Sequence, residues 1–291
     1  DKRDTALNQL AELVDISVVP SNSNMVNVFM GQGQVLVLDT IANKVITKPD
    51  EFDPSRLDVV MQTTSGTVGI ITNQITGGAL AGTLRFRDEI LDPAQQRLGS
   101  VASSVAMEFN TIHQAGFDLD GNAGELFFKG QGMGTTPIPV SNSTKNSVGS
   151  SINVMFDSNN IQNIDYSDYK LEVGIGPSYT LTRVADNTSI SLTATVPPIT
   201  VPVTPVQLVA NGTDILPGIT IEPTGLNAGD VFLIRPTYSA ASTIEQNIID
   251  PRKVALATNI ATDSNNVDYV VDGAMPGDNR NGLALAALES K

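Results

Sequence analysis

The chain has 291 residues, with 17 Lys and Arg against 31 Asp and Glu, a net charge of −14, no Cys, no Trp and a single His, His113. These counts exclude disulfide scaffolds, thiolate zinc sites, cysteine nucleophiles and any site that needs two imidazoles from one chain. Lys and Arg do not cluster, so the charge that would neutralise a nucleic-acid backbone is missing. No apolar run approaches the length of a membrane span. The length allows two ordinary domains, each with its own core. The chain opens on Asp1 instead of Met, as a trimmed chain would, so a missing export signal carries no weight.

In chain order, Leu7, Leu10, Ala11 and Val14 stand at i, i+3, i+4 and i+7, which predicts an amphipathic helix over the first fourteen residues. Strands are expected at 16–19, 25–30 and 34–38, the last two joined by Gly31-Gln32-Gly33, where glycines permit a tight hairpin. That Gly-x-Gly is not a dinucleotide fingerprint, because Leu36 stands where the third glycine belongs and a strand follows. A second strand pair is expected at 58–62 and 67–72.

A long helix follows from about Ala79 to Ala115, with Leu84, Leu91, Leu98, Val105 and Ile112 at intervals of seven and Ala94, Val101 and Ala115 between them. This is the narrow seam of a helix packed side by side with others, and burial inside the subunit is expected for the five. Asp92-Pro93 with Gln95 predicts a kink or restart, Asp92 serving as N-cap, and Gly116 a stop. Arg85, Arg87, Asp88 and Glu89 form a charged run on the same helix. Such runs are usually solvated faces with weak internal pairs, and here the run is also a candidate contact with a neighbouring subunit.

His113, Asp118 and a nearby serine could be written as a triad, but no nucleophile elbow accompanies them, so a packed or capping histidine is expected. Asp118-x-Asp120-x-Asn122 begins like a calcium loop and then fails, with Ala123 in place of the required Gly and Lys129 in place of the required Glu. A tight turn is expected there. The residues thus offer no catalytic site, no cofactor site and no metal site.

After Phe128 the texture changes to Gly130, Gly132, Gly134, Pro137 and Pro139, a linker-like stretch. Strands separated by turns are expected at 169–173, 179–184, 189–195, 218–222 and 231–235, a small all-β unit. The proline-rich run from Pro197 to Pro205 reads as an extended loop or sheet edge. Helical signals return at Asp250-Pro251 and after Asp278, leading into an Ala/Leu run that continues to the last residue. The expected fold class is therefore α+β: a discontinuous helix-plus-β-hairpin domain formed by 1–132 and 239–291, with an inserted all-β domain at 133–238.

Four stretches together resemble the hook-filament junction proteins of the bacterial flagellum, the first hook-associated protein family. They are 1–38 with the Val-Asn-Val-Phe-Met-Gly-Gln-Gly-Gln hairpin, 82–98, Phe109-Asn110-x-x-His113-Gln114-x-Gly116-Phe117-Asp118-x-Asp120-Gly121-Asn122, and Gly277-Asp278-Asn279-Arg280-Asn281-Gly282 with its Ala/Leu helix. A weaker echo covers 168–171 and 183–188. The resemblance implies a non-catalytic axial subunit, exported by the flagellar type III apparatus and assembled outside the cell as a ring joining hook to filament. It implies hook protein, the second junction protein and identical subunits as partners, and an export chaperone bound through a C-terminal region outside these residues. It also implies that the two long terminal helices of the tube core lie outside the chain, leaving a monomeric fragment. The Pro197 to Pro205 run departs from the family pattern. Alternatives are a sibling axial protein, or an adhesin-like module using Tyr166, Tyr169 and Tyr179 as an aromatic platform.

Overall fold

The computed structural model describes residues 2–21, 25–66, 68–176, 178–195, 207–211, 216–262, 268–270 and 277–290. The Pro197 to Pro205 run lies outside these residues. The fold is α+β, and its contacts divide it into two compact units, Asp1–Pro93 and Ala94–Lys291.

In the first unit, helix α1 (Lys2–Leu13) is followed by β1 (Ile16–Pro20), β2 (Val26–Met30), β3 (Gln34–Leu38) and β4 (Ile41–Ala42), an antiparallel sheet in the order β1-β2-β3-β4. A second antiparallel sheet holds β5 (Lys44–Pro49), β6 (Leu57–Gln62) and β7 (Val68–Ile70). Helix α2 (Gly78–Arg85) completes the unit, and its core is Val14, Met30, Val59, Met61, Ile71, Ile75 and Ala81 with Leu10, Leu80 and Leu84 at the margin. The 31–33 hairpin forms as expected. Gly31 has φ +56°, and a Cβ there would lie 2.1 Å from the Gln74 carbonyl oxygen, so a side chain is excluded both by conformation and by space. Asp15 ties the end of α1 to the start of α2: its carboxylate accepts hydrogen bonds from Thr76 N–H at 3.2 Å, Thr76 Oγ1 at 2.5 Å and Gly77 N–H at 3.0 Å.

The second unit contains helix α3 (Asp92–Gln114, which begins just before the division) and β8 (Phe128–Lys129). Its body is an antiparallel sheet made from β9 (Val140–Asn142), β10 (Ser151–Phe156), β11 (Tyr169–Val173), β12 (Tyr179–Arg183), β13 (Ser189–Ala194), β14 (Leu208–Ala210), β15 (Ile219–Thr224) and β16 (Val231–Ile234). The order is β10-β15-β14-β13-β12-β11-β16-β9, and the two edge strands approach each other, so the sheet nearly closes. Alternation selects the interior: along β11, Tyr169, Leu171 and Val173 point inward, while Lys170 and Glu172 form an outward ion pair at 2.7 Å. Leu171 sits between Leu181 and Phe232 on the neighbouring strands, and all three are fully buried. Each such side chain contributes roughly 1.5–3 kcal/mol relative to exposure. The rest of the unit is α4 (Ala240–Thr243), β17 (Glu245–Gln246), β18 (Ile260–Thr262), β19 (Asp268–Val270) and α5 (Arg280–Ala286).

Several sequence expectations meet local corrections. The Val68–Ile70 strand is shorter than expected because a 3-10 turn takes over at Thr72–Gln74. Asp92 is not an N-cap: the helix runs through it at φ −63° and ψ −47°, and its carboxylate pairs with Arg56. Strand β5 was not expected, because all six of its residues are exposed and leave no alternating apolar signal.

Asp15, Asp118, Asp230 and Asp278 share an electrostatic property. Burial by itself would raise each carboxyl's pKa, but hydrogen bonds outweigh it and hold all four below the usual carboxylate range, with donors such as Thr76, Asn122, Ser147 and Arg280 respectively. A folded-state pKa below the unfolded value contributes stability that is present above the unfolded pKa and lost as the pH falls through the folded one. The urea midpoint is therefore expected to hold steady from about pH 8 to about pH 5 and to decline below about pH 4. A midpoint that rose on acidification would contradict this account.

Candidate assembly surface

Helix α3 is anchored along one face by small and polar residues. Gly99, Ser103, Ala106, Met107, Asn110 and His113 recur at helical spacing and are all buried. The Asn110 side-chain carbonyl accepts the N–H groups of Phe127 and Phe128 at 2.9 and 2.8 Å, and its amide donates to the Phe128 carbonyl at 2.8 Å. His113 is fully buried beside Phe109 and Phe127. Its Nε2 accepts the Ala255 N–H at 2.9 Å, and its Nδ1 donates to the Glu125 carbonyl at 2.7 Å, which fixes one neutral tautomer. Nearer the start of α3, Gln96 donates to Asp168 at 2.7 Å, and Asp168 also accepts from Arg235 Nε at 3.0 Å, whose guanidinium stacks on Tyr238.

The opposite face carries the heptad seam, and the structure corrects its expected burial. Leu91, Leu98 and Val105 are 48%, 62% and 59% exposed, and Val101 between them is 63% exposed. Leu84 is half-buried against the core of the first unit, and Ile112 is half-buried. One reason is that the small side chains on the other face permit close backbone approach, which larger leucines would prevent. The turn Phe86–Leu91 that precedes α3 is a π-helix. Of the charged run, Arg85, Asp88 and Glu89 are exposed; Arg87 is half-buried and pairs with its neighbour Asp88 at 2.8 Å.

The remaining candidates resolve into structure. Asp118 Oδ1 accepts the N–H groups of Asp120 and Asn122 at 2.9 and 2.8 Å, and Gly121 has φ +80°, the expected tight turn. The three tyrosines do not form a platform: Tyr169 is core, its hydroxyl bonding Asp165 at 2.9 Å, Tyr179 is half-buried, and Tyr166 lies under Arg97. Asp250 caps a 3-10 turn at Pro251–Lys253, accepting from Arg252 N–H. Asp278 binds the N–H groups of Thr258 and Arg280 at 3.0 and 3.1 Å, before α5. What sequence reasoning missed is the strap at 254–258: Ala255 is held at its N–H by His113 and at its carbonyl by Asn281 (2.6 Å), while Phe117 and Ala257 exchange backbone hydrogen bonds. Only the Asn281-Gly282 signature hinted at that contact. No helix among the described residues is long and apolar enough to cross a membrane.

Residues 1–128 match a family model described as the flagellar hook-associated protein FlgK helical domain. Flagellar hook-associated protein 1 of Escherichia coli strain K12 is 30% identical over 292 residues, covering 100% of this chain and 47% of that protein. The same-named protein of Salmonella typhimurium is 28% identical, again over 100% of this chain and 48% of its own length. Among solved structures, the flagellar hook junction protein FlgK from Burkholderia pseudomallei matches with a TM-score of 0.72 at 29% identity, covering 89% of this chain and 45% of that one. The chain thus spans about half the length of the curated relatives it matches. With the helical-domain model matched over residues 1–128 and similarity running through the β-rich remainder, the whole chain is similar to the FlgK flagellar hook-associated proteins.

Proposed function

We propose that this chain is part of a structural subunit at the junction of hook and filament, non-catalytic, exported, and assembled outside the cell as a ring with identical copies, hook protein and the second junction protein. An export chaperone would engage sequence outside these residues. The observation that carries the reading is the exposed apolar row Leu91, Leu98, Val101 and Val105 on a helix anchored along its other face. A seven-residue apolar repeat left in water is disposed to pack against further helices, and assembly through repeated modest contacts asks for such a face. Arg85, Arg87, Asp88 and Glu89 flank this row and are proposed to contact neighbouring subunits. Without those partners the 291-residue chain is expected to be monomeric.

The same reading treats 1–132 with 239–291 as one discontinuous domain and 133–238 as an insert. Its support is that β8 pairs with β17 and Phe117 with Ala257, linking segments from both sides of the β-rich stretch within the second unit.

The test adds full-length protein to hooks that lack their junction. Unaltered protein is expected to incorporate and restore filament growth, and Leu98→Glu with Val105→Glu to lose both while the 291-residue chain with those changes keeps its melting temperature within about 2 °C. Failure of the unaltered protein would refute the junction assignment. Normal incorporation of the double variant would refute the role of the row.

A further inference from the structure

Strand β5 (Lys44–Pro49) is an edge of the sheet β5-β6-β7, and all six of its residues are exposed. On one side it pairs with β6, from Lys44 opposite Gln62 to Pro49 opposite Leu57, and no other described strand pairs with it. Such an edge offers a row of N–H and C=O groups to any extended backbone that comes alongside. Residues opposite each other share a face, so Val45 and Thr47 stand with Met61 and Val59 on the core side of the sheet, and Lys44, Ile46 and Lys48 stand with Gln62, Val60 and Asp58 on the other.

On the core side a groove of about 570 Å³ runs among Leu10, Leu13, Val14, Leu36, Val45 and Leu80. Among the described residues Val45 alone of its sheet lines it, so the groove lies off the β5 edge and not beneath β6. Its wall reaches water, with Leu13 and Val45 57% and 40% exposed. The other side of the edge is basic. Lys44 and Lys48 bracket Ile46, and neither has an ion pair among the described residues. Asp58 stands opposite Lys48 on β6, where its carboxylate accepts the Thr72 hydroxyl at 2.9 Å. In a chain of net charge −14 this edge is complementary to acidic groups.

We infer that β5 is a strand-addition site for an extended segment of a partner protein in which two carboxylates bracket three apolar residues. The first and fifth residues of that segment bring their carboxylates beside Lys44 and Lys48, the third rests on Ile46, and the second and fourth turn toward the groove. The pattern reads the same in both directions, so parallel and antiparallel addition both satisfy it. Main-chain hydrogen bonds supply affinity and the alternation supplies specificity. Edge lysines discourage pairing with a purely apolar or a basic strand, and the same lysines favour this one. Pro49, without an N–H, ends the ladder. The inference concerns the first unit alone and does not depend on the assembly reading.

The probe is the end-blocked peptide Ser-Glu-Val-Val-Leu-Glu-Ser, titrated into the nitrogen-15-labelled 291-residue chain and followed by backbone amide shifts. Saturable shifts are expected at 44–48, and the apparent Kd is expected to rise about 10-fold for Lys44→Glu with Lys48→Glu and about 5-fold for Leu13→Ser. The same peptide with lysines in place of its glutamates is expected to bind the unchanged chain at least 10-fold more weakly. Backbone methylation separates strand addition from simple filling of the groove. Only alternate amides of an added strand face β5, so N-methyl groups on the first, third and fifth of the five central residues, or on the second and fourth instead, are expected to abolish binding in one case and spare it in the other. That comparison uses the unchanged chain and decides the matter even if a variant fails to fold. No shift at 44–48 up to about 1 mM peptide, equal binding of the acidic and basic peptides, or equal binding of the two methylated forms would overturn the inference.

Discussion

Gly99→Ala is expected to lower the melting temperature by about 5–10 °C. A Cβ at position 99 would lie 1.7 Å from the Thr237 carbonyl oxygen and 2.8 Å from its carbonyl carbon. Those are backbone atoms, so no rotamer change relieves the clash, and α3 would have to withdraw by about 1 Å or more along a face packed at van der Waals contact. Withdrawal would also stretch the hydrogen bonds of Asn110 further along the same face. Overpacking typically costs about 1–3 kcal/mol, and the loss of anchored hydrogen bonds places this site at or above the top of that range. Gly82→Ala is the matched control, since a Cβ there meets nothing within 4 Å and α2 gains helix propensity. It is expected to stabilise by about 0.5–1 kcal/mol. Equal melting temperatures for the two variants would show that the close approach of α3 to Thr237 does not exist in solution.

His113→Phe is expected to cost about 2–4 kcal/mol although it keeps an aromatic ring of similar size beside Phe109 and Phe127. The ring volume is preserved while both hydrogen bonds are removed, leaving the buried Ala255 N–H and the Glu125 carbonyl without their partner. The loss falls on the 254–258 strap, which ties the end of α3 to the residues before α5 through Phe117, Asn281 and Asp278. Urea denaturation measures the total, and hydrogen exchange of the strap locates it. A variant within about 0.5 kcal/mol of the parent would mean that the histidine contributes through packing alone.

These two positions illustrate what a linear reading can see. Gly99 sits inside a helical pattern where glycine is merely unfavourable, and His113 is a single titratable group without a motif. The importance of each comes from a contact more than a hundred residues away in sequence, with Thr237 and Ala255. Elements whose signal is local were legible. The strand Tyr169–Val173 appears with the expected bounds, and the Gly31–Gly33 and Asp118–Asn122 turns adopt the geometry their residues favour. Elements without a local signal were not: β5 is exposed throughout, and β14 spans only Leu208–Ala210 and gains its place from pairing with β13 and β15.

The amino-acid sequence by itself determined the α+β class, the family likeness, the alternating strands of the sheet and the existence of an apolar row on the long helix, because each depends on residue identities at fixed short spacings. Tertiary structure alone decided that this row faces water and that the glycine, serine and asparagine face is the one packed inside. A repeat of seven says that a helix has a face suited to a partner, but not where that partner lies. The choice between faces was made by backbone approach at Gly99 and by hydrogen bonds at Asn110 and His113.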